Sequence, residues 1–498
     1  MASTVSTHAG DLRGQEQDGV TSFKGVAFAA PPVGGLRWRE PQPVEPWHGV
    51  RDAFAFGPCA IQRTIPGDVG ELIGIHTGEI SEDCLYLNVW TPALDAKRRP
   101  VMVWIHGGGN TVGAGSQPRV NGEHLARRGD VVVVTTNYRL GALGFLHSSD
   151  LGASGNEALL DQLAALRWVK REIASFGGDP DNVTVFGQSA GGFDIAQLMG
   201  MPRAEGAFDK AIPMSGSLTA QVSRTDAETT AQRFAEKFGG FDALRDVPAH
   251  EIHEFQLALA SDRESPARFA PVRDGEVLTE DAAINVGTGL HTRGKPLMIG
   301  HTRDESTLFT AFNESLADLD DTKLATMAEN HFGDRAAEAV ELYRTSRNAA
   351  GLPTSPLEIW TAMSTDRMFR MPAIRTAELH SSHTADTWFY VFAYTSPARG
   401  GRLGACHALD IPFVWGTYGL EDMQRFCGSE PVVAKLSGQV MSAYLAFARS
   451  GDPNTDTLPQ WPRYSREARN TMYLDRECRV EDGPLDEIRA LWADGSDP

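Results

Sequence analysis

Long apolar runs are missing from this 498-residue chain. The strongest, such as Val131 to Val134, fall far short of the roughly 20 residues that span a bilayer, so a soluble protein with no membrane partner is expected. Cysteine is scarce. Cys59, Cys84, Cys406, Cys427 and Cys478 form no CxxC pair and no metal-ligand spacing, and an odd number does not close a disulfide framework. No structural metal is implied. Basic residues are outnumbered: 46 Lys and Arg face 65 Asp and Glu, a formal net charge of -19, which repels phosphate backbones and argues against nucleic acid as a partner. The opening MASTVSTHAG has no positive segment followed by an apolar one, so no secretory signal is expected and the cytoplasm is the expected compartment. Internal repeats, low-complexity tracts and Pro/Ser linkers are absent too, and one continuous domain over 1–498 is the simplest organisation. What is present is ordinary globular composition, 41% hydrophobic with 50 Gly and 28 Pro, enough for a sizeable core.

Three β-branched runs, Val101 to Ile105, Val131 to Thr136 and Val183 to Phe186, lie between loops and helical patterns, as buried parallel strands do. Further strands are expected at Pro296 to Gly300 and Trp388 to Phe392. Between the second and third runs, Leu159, Leu163, Leu166, Val169 and Ile173 recur at helical spacing; Asn156 is the expected N-cap, and Gly177, Gly178 and Pro180 stop the helix. The pattern predicts an α/β fold, with helix-like insertions at about 221–262 and 315–382. In an open α/β sheet the ligand site lies beyond the carboxyl ends of the strands, so chemistry is sought immediately after each strand.

Gly187-Gln188-Ser189-Ala190-Gly191 follows one strand and precedes a helical pattern, the context of a nucleophile elbow. Its glycines are needed where backbone segments approach too closely for a Cβ. The pentapeptide alone is a weak signal; His106-Gly107-Gly108-Gly109, directly after the Val101 to Ile105 strand, strengthens it. Consecutive glycines can turn backbone N–H groups toward a tetrahedral oxyanion, and the N–H of Ala190 adds a donor. A serine nucleophile needs a base, and the base an orienting carboxylate. Of the histidines after residue 305, only His407 lies in a Gly-rich loop following a strand, whereas His331, His380 and His383 fall in helix-like polar stretches expected at the surface. For the acid, the pattern leaves Asp304 and Glu305 open.

Taken together, FKGVAFAAPPVGGLRW (23–38), SEDCLYLNVW (81–90), VMVWIHGGG (101–109), NYRLGALGF (137–145), FGGDPDNVTVFGQSAGG (176–192), HTRDE (301–305), CHALDIPFVWG (406–416) and FARSGDPN (447–454) resemble the type-B carboxylesterase and cholinesterase family, particularly its bacterial p-nitrobenzyl-esterase-like members. The resemblance implies an α/β-hydrolase fold with helical insertions around an active-site gorge. It implies a triad of Ser189, Glu305 and His407, an oxyanion hole of Gly108, Gly109 and Ala190, and Ser215 in support of the acid. It also implies a structural pair of Glu82 with Arg139, and in secreted relatives a disulfide from Cys84 to a cysteine near Cys59. Two departures bear on specificity: Asn110 stands where relatives carry an apolar or aromatic residue, and Gln188 where they carry glutamate. Both are expected to alter polarity beside the substrate, and loss of the carboxylate at 188 disfavours a cationic, choline-type ester. Cys406, beside His407, lacks an elbow and is expected to be a buried, inert thiol.

The expected activity is hydrolysis of small to medium, uncharged carboxylic esters through an acyl-enzyme, without a metal or organic cofactor, by a monomer or small homo-oligomer. Activity should fall at acid pH, where the imidazole base is protonated. A rival within the same machinery is carbamate or aryl-amide hydrolysis, to which Asn110 could contribute a hydrogen bond. A rival of another class is a catalytically silent recognition protein, since the fold also serves adhesion in relatives without the nucleophile.

Overall fold

A computed structural model describes residues 2–64, 70, 78–262, 267–279 and 281–493. Among them one 13-stranded sheet organises the fold. Its strands are β1 (Ala2–Ser6), β2 (Asp11–Gln17), β3 (Val20–Ala27), β4 (Val50–Asp52), β5 (Tyr86–Thr91), β6 (Arg99–Ile105), β7 (Val132–Thr136), β8 (Gly178–Gln188), β9 (Lys210–Met214), β10 (Leu297–Thr302), β11 (Thr387–Phe392), β12 (Thr471–Leu474) and β13 (Arg479–Glu481). Their spatial order is β1-β2-β3-β5-β7-β6-β8-β9-β10-β11-β12-β13, with β4 beside β2. From β7 through β12 every neighbour pair is parallel; the β1–β2, β2–β3, β3–β5, β5–β7 and β12–β13 pairs are antiparallel. All five expected strands form, each within a residue or two except β8, which starts earlier.

Alternation explains why the central strands read as unbroken apolar runs. Val101, Val103 and Ile105 of β6 join one core cluster, while Met102 and Trp104 join the cluster on the other face. Helix α1 (Glu157–Glu172) turns its apolar positions inward: Leu159, Leu163, Leu166 and Val169 are at most 1% exposed. A short 3₁₀ extension carries the chain to Gly177, whose φ of 80° closes the helix in the left-handed region. Asn156 stands at the N-cap of α1 as expected, its carbonyl accepting from Leu160 N–H at 2.9 Å, but its side chain does not cap the helix: it holds Val272 through both backbone groups, at 2.9 Å each. The Glu157 carboxylate instead accepts the Ser154 and Gly155 N–H groups.

The stretch 221–262 contains α3 (Arg224–Phe238) and α4 (Ala249–Ala260), and 315–382 contains α5 (Asp321–Phe332), α6 (Ala336–Ala349), α7 (Pro356–Thr365) and α8 (Met371–Ser381); α2 (Ala190–Gly200) lies between α1 and α3 in the chain. A π-helical turn, Asp366–Arg370, joins α7 to α8. Among the described residues no helix is long and apolar enough to cross a membrane, and no group of three or more His, Cys, Asp or Glu is placed to hold a metal ion.

The expected Glu82–Arg139 pair is not formed. Arg139 is bound by Asp161 of α1, with Nε and Nη2 at 2.8 and 2.7 Å from the two carboxylate oxygens, and Glu82 takes both prongs of Arg37 at 2.7 Å. Each arginine finds the carboxylate that meets its planar fork squarely. The five cysteines are free thiols; Cys59 Sγ faces Ser116 Oγ at 3.6 Å, and Cys84 is fully buried.

Candidate active site

The chain order crosses over at β6, which lies between β7 and β8. The carboxyl ends of β6 and β8 therefore sit side by side, the place where an α/β sheet opens a crevice. The HGGG loop leaves β6 and the elbow leaves β8. Their approach is so close that a Cβ built on Gly187 or Gly191 would stand 2.5 or 2.2 Å from the Ile105 carbonyl oxygen. No side chain fits there, which is the physical requirement behind both glycines. Ser189 itself takes φ 57° and ψ −125°, a strained conformation that a turn of this kind imposes. It is fixed by its N–H to the Met214 carbonyl (2.9 Å) and by its carbonyl, which accepts from Phe193 N–H (2.8 Å).

His407 stands at the far side of the elbow. Its Nδ1 is bonded to Glu305 Oε2, and its backbone N–H donates to the Glu305 carbonyl at 3.3 Å. Glu305 is wholly buried, and its other oxygen accepts from Ser215 Oγ (2.5 Å) and from Thr302 N–H (2.7 Å). Burial pushes this carboxyl up, but the adjacent His407 and the hydrogen bonds from His407 and Ser215 outweigh it and hold it below the usual carboxylate range. The alternative acid, Asp304, turns elsewhere. It accepts from Arg303 (2.7 Å) and from Ala405 N–H (2.8 Å), and so ties the loop carrying His407 to the one carrying Glu305.

The N–H groups of Gly108, Gly109 and Ala190 donate to no described protein atom. Gly108 and Gly109 have φ of 120° and 60°, and a Cβ at Gly108 would lie 2.0 Å from the Val112 carbonyl oxygen. Three backbone donors are thus left open beside a strained serine, the arrangement that stabilises a developing oxyanion.

The two polar departures are engaged by the protein itself. Gln188 Nε2 lies 3.1 Å from His407 Nε2, the lone pair that a serine would use, while Ser189 Oγ has no hydrogen bond among the described residues. Asn110, expected to meet the substrate, is 4% exposed, and its Nδ2 donates to Asp194 at 3.3 Å. The other histidines also differ from expectation: His380 is fully buried and bonded to Thr387, and His331 and His383 are half-buried. Cys406 is buried and its thiol is pushed well up by burial, as an inert group.

Three aromatic residues escaped the reading of the sequence. Phe309 and Phe369 place their rings 5.2 and 5.1 Å from the His407 ring, and Phe193 is 6.2 Å from Phe369. Phe369 lies in the π-helical turn, a feature frequent at functional sites but one without a sequence signature.

The family model described as the carboxylesterase family matches residues 1–492. The para-nitrobenzyl esterase of Bacillus subtilis (strain 168) is 40% identical over 97% of each chain, and the phenmedipham hydrolase of Pseudarthrobacter oxydans is 37% identical over 92% of each. The crystal structure of a carboxylesterase from Geobacillus stearothermophilus superposes with a TM-score of 0.87 at 37% identity, covering 98% of this chain and 99% of that one. With an α/β-hydrolase sheet, an elbow serine and this likeness over nearly its full length, the chain belongs to the carboxylesterase family and is a serine carboxylic-ester hydrolase.

Proposed function

We propose that Ser189 is the nucleophile, His407 the general base and Glu305 the acid that orients it. His407 Nε2 takes the Ser189 proton as Oγ attacks the acyl carbon. The oxyanion is held by the N–H groups of Gly108, Gly109 and Ala190, each donor contributing about 2.7 to 4 kcal/mol in the transition state. The protonated imidazole then delivers its proton to the departing alcohol. A water molecule, deprotonated by the same imidazole, attacks the acyl-enzyme and releases the acid, restoring Ser189. Glu305 fixes the Nδ1–H tautomer and stabilises the imidazolium without taking the proton. The observation that carries this reading is the buried Glu305–His407 bond beside a strained serine and three unengaged N–H groups. The Gln188 amide on Nε2 yields that lone pair to Ser189 when substrate is bound; catalytic hydrogen bonds commonly tighten only in the complex.

The substrate class we infer is a small to medium, uncharged ester. The phenyl rings of Phe309 and Phe369 flank the base, and residue 188 offers an amide rather than a carboxylate, so an apolar acyl or alcohol group is favoured over a cation. We read the chain as one catalytic domain in which the insertion at 315–382, through Phe369, walls the site. The few cysteines, five with no paired spacing, suit a reducing compartment such as the cytoplasm, and the protein works as a monomer or small homo-oligomer. Hydrolysis of p-nitrophenyl esters of increasing acyl length by the wild type and by Ser189→Ala tests the reading. Turnover with a chain-length optimum, lost in a folded Ser189→Ala, is expected; an inactive wild type or an equally active variant would overturn it.

A further inference from the structure

A buried carboxylate stands behind the oxyanion loop with no cation beside it. Asp194, on the second turn of α2, is fully buried and, among the described residues, forms no ion pair. Its oxygens are met by two amides: Gln162 Nε2 from α1 at 2.6 Å and Asn110 Nδ2 from the loop after β6 at 3.3 Å. A buried charge without a counter-ion is costly unless hydrogen bonds replace water, and burial pushes this carboxyl up to about 7 against the pull of the two amides. The triad does not use it. Its place in the fold shows what it joins. Asp194 lies four residues after Ala190, the donor contributed by the elbow, and Asn110 follows Gly109, a donor contributed by the other loop. A single hydrogen bond therefore connects the two halves of the oxyanion hole.

The loop needs such a restraint. Gly108, Gly109 and Asn110 have successive φ values of 120°, 60° and 57°, the last in a left-handed conformation that a non-glycine residue keeps only when its surroundings over-determine it. Asn110 is gripped on several sides: its carbonyl accepts from Gly141 N–H (2.7 Å), its Nδ2 reaches Asp194, and its Oδ1 lies 3.4 Å from the Tyr138 hydroxyl. Tyr138 in turn donates to the His106 carbonyl (2.7 Å) and stacks on the His106 ring at 4.4 Å, so the start of the loop is held by the same group.

We propose that Asp194, acting through Asn110, is a positioning residue that sets the Gly108 and Gly109 donors in register with the Ala190 donor. This rests on the esterase reading of the site. Neither side chain touches the reacting atoms; the effect is on how well the transition state is met. Misplacement of a catalytic group by a distant change can lower rate by up to about 100-fold.

The test is a double-mutant cycle on the full chain with p-nitrophenyl acetate and butyrate, using Asn110→Ala, Asp194→Ala and the pair. Each single variant is expected to lose about 10- to 100-fold in kcat with KM nearly unchanged, and the double variant no more than the worse single one. Asp194→Asn is expected to recover most of the rate: its introduced amide can accept from Asn110 and, once the Gln162 amide turns over, donate to Gln162 Oε1, which has no partner among the described residues. Affinity for a trifluoromethyl ketone, which forms a tetrahedral adduct on the serine, should fall with kcat/KM across the series. If Asp194→Ala does not fold, Asp194→Leu fills the same space without accepting a hydrogen bond and takes its place. Losses that multiply, losses in KM alone, or no recovery in a folded Asp194→Asn would overturn the proposal. An inactive wild type would instead sink the esterase reading on which it stands.

Discussion

Replacing Gln188 by glutamate is expected to move the acid limb of the kcat/KM profile to higher pH. The side chain at 188 reaches within 3.1 Å of His407 Nε2. In the wild type that neighbour is a neutral amide, which can donate to the neutral imidazole but brings no charge to the imidazolium. In Gln188→Glu a carboxylate takes its place. At this separation and an effective dielectric near 20, its gross attraction to an imidazolium is about 5 kcal/mol. Burial of the new charge and repulsion from the Glu305 carboxylate take much of this back. The net is the rise of about 1 to 3 pH units that a close carboxylate usually produces. The sign follows from which form works: the carboxylate favours the protonated imidazole, the base must be neutral, and so a higher pH is needed to reach the plateau. Well above the midpoint, the variant should approach wild-type kcat within a few-fold. Initial rates with a neutral p-nitrophenyl ester from pH 5 to 9, at constant ionic strength, measure the shift. An unmoved limb, or one displaced to lower pH, would refute the contact between residue 188 and the base.

Three further outcomes are expected. Ser215→Ala removes a 2.5 Å hydrogen bond to the buried Glu305 carboxylate, and a bond to a charged group contributes about 1.5 to 3 kcal/mol; kcat should fall about 10-fold or more with KM little changed, as steady-state kinetics will show. Arg139→Met leaves the Asp161 carboxylate buried and unpaired and should destabilise the fold by about 3 to 5 kcal/mol, read as a lower midpoint in urea, whereas truncating Glu82 should leave Arg139 paired and cost less. Because Glu305 is held below the ordinary glutamate value of 4.5, the stability it contributes is complete above that value and disappears as pH falls through the lower folded-state value. Glu305→Gln should accordingly flatten the loss of stability below about pH 4.5, and a Tm–pH curve identical to wild type would contradict this.

The parts of the site that were legible in the sequence are those built by neighbours in the chain. Apolar runs announced β6, β7 and β8, and the glycines after β6 and β8 announced backbones too close for a side chain, as at Gly191, where a Cβ would stand 2.2 Å from the Ile105 carbonyl oxygen. Asp304 and Glu305 could not be separated by pattern, since both follow the same strand; only the three-dimensional path of the loop sends one to His407 and the other to Arg303. Partners remote in sequence were misread or missed. Arg139 pairs with Asp161 rather than Glu82 because α1 packs across it, and Asn156, at the N-cap of α1, turns its side chain to a backbone 116 residues away. Asn110 and Gln188 stand where polar substitutions were noticed, but their partners, Asp194 at 84 residues and His407 at 219, depend on tertiary packing. Phe369 gave no signal, for an aromatic residue in a helical insertion reads as ordinary core, and Phe309, in the short helical turn Thr307–Thr310 that follows Glu305, carries no motif of its own.

The most direct test of the account is the covalent step itself. Incubation with an uncharged p-nitrophenyl phosphonate, followed by intact-mass and peptide analysis, should yield one adduct per chain on the peptide containing Ser189, with activity lost in proportion to labelling. Labelling on another residue, on Cys406 for example, or full activity in a fully labelled protein, would contradict the assignment of Ser189 as the nucleophile.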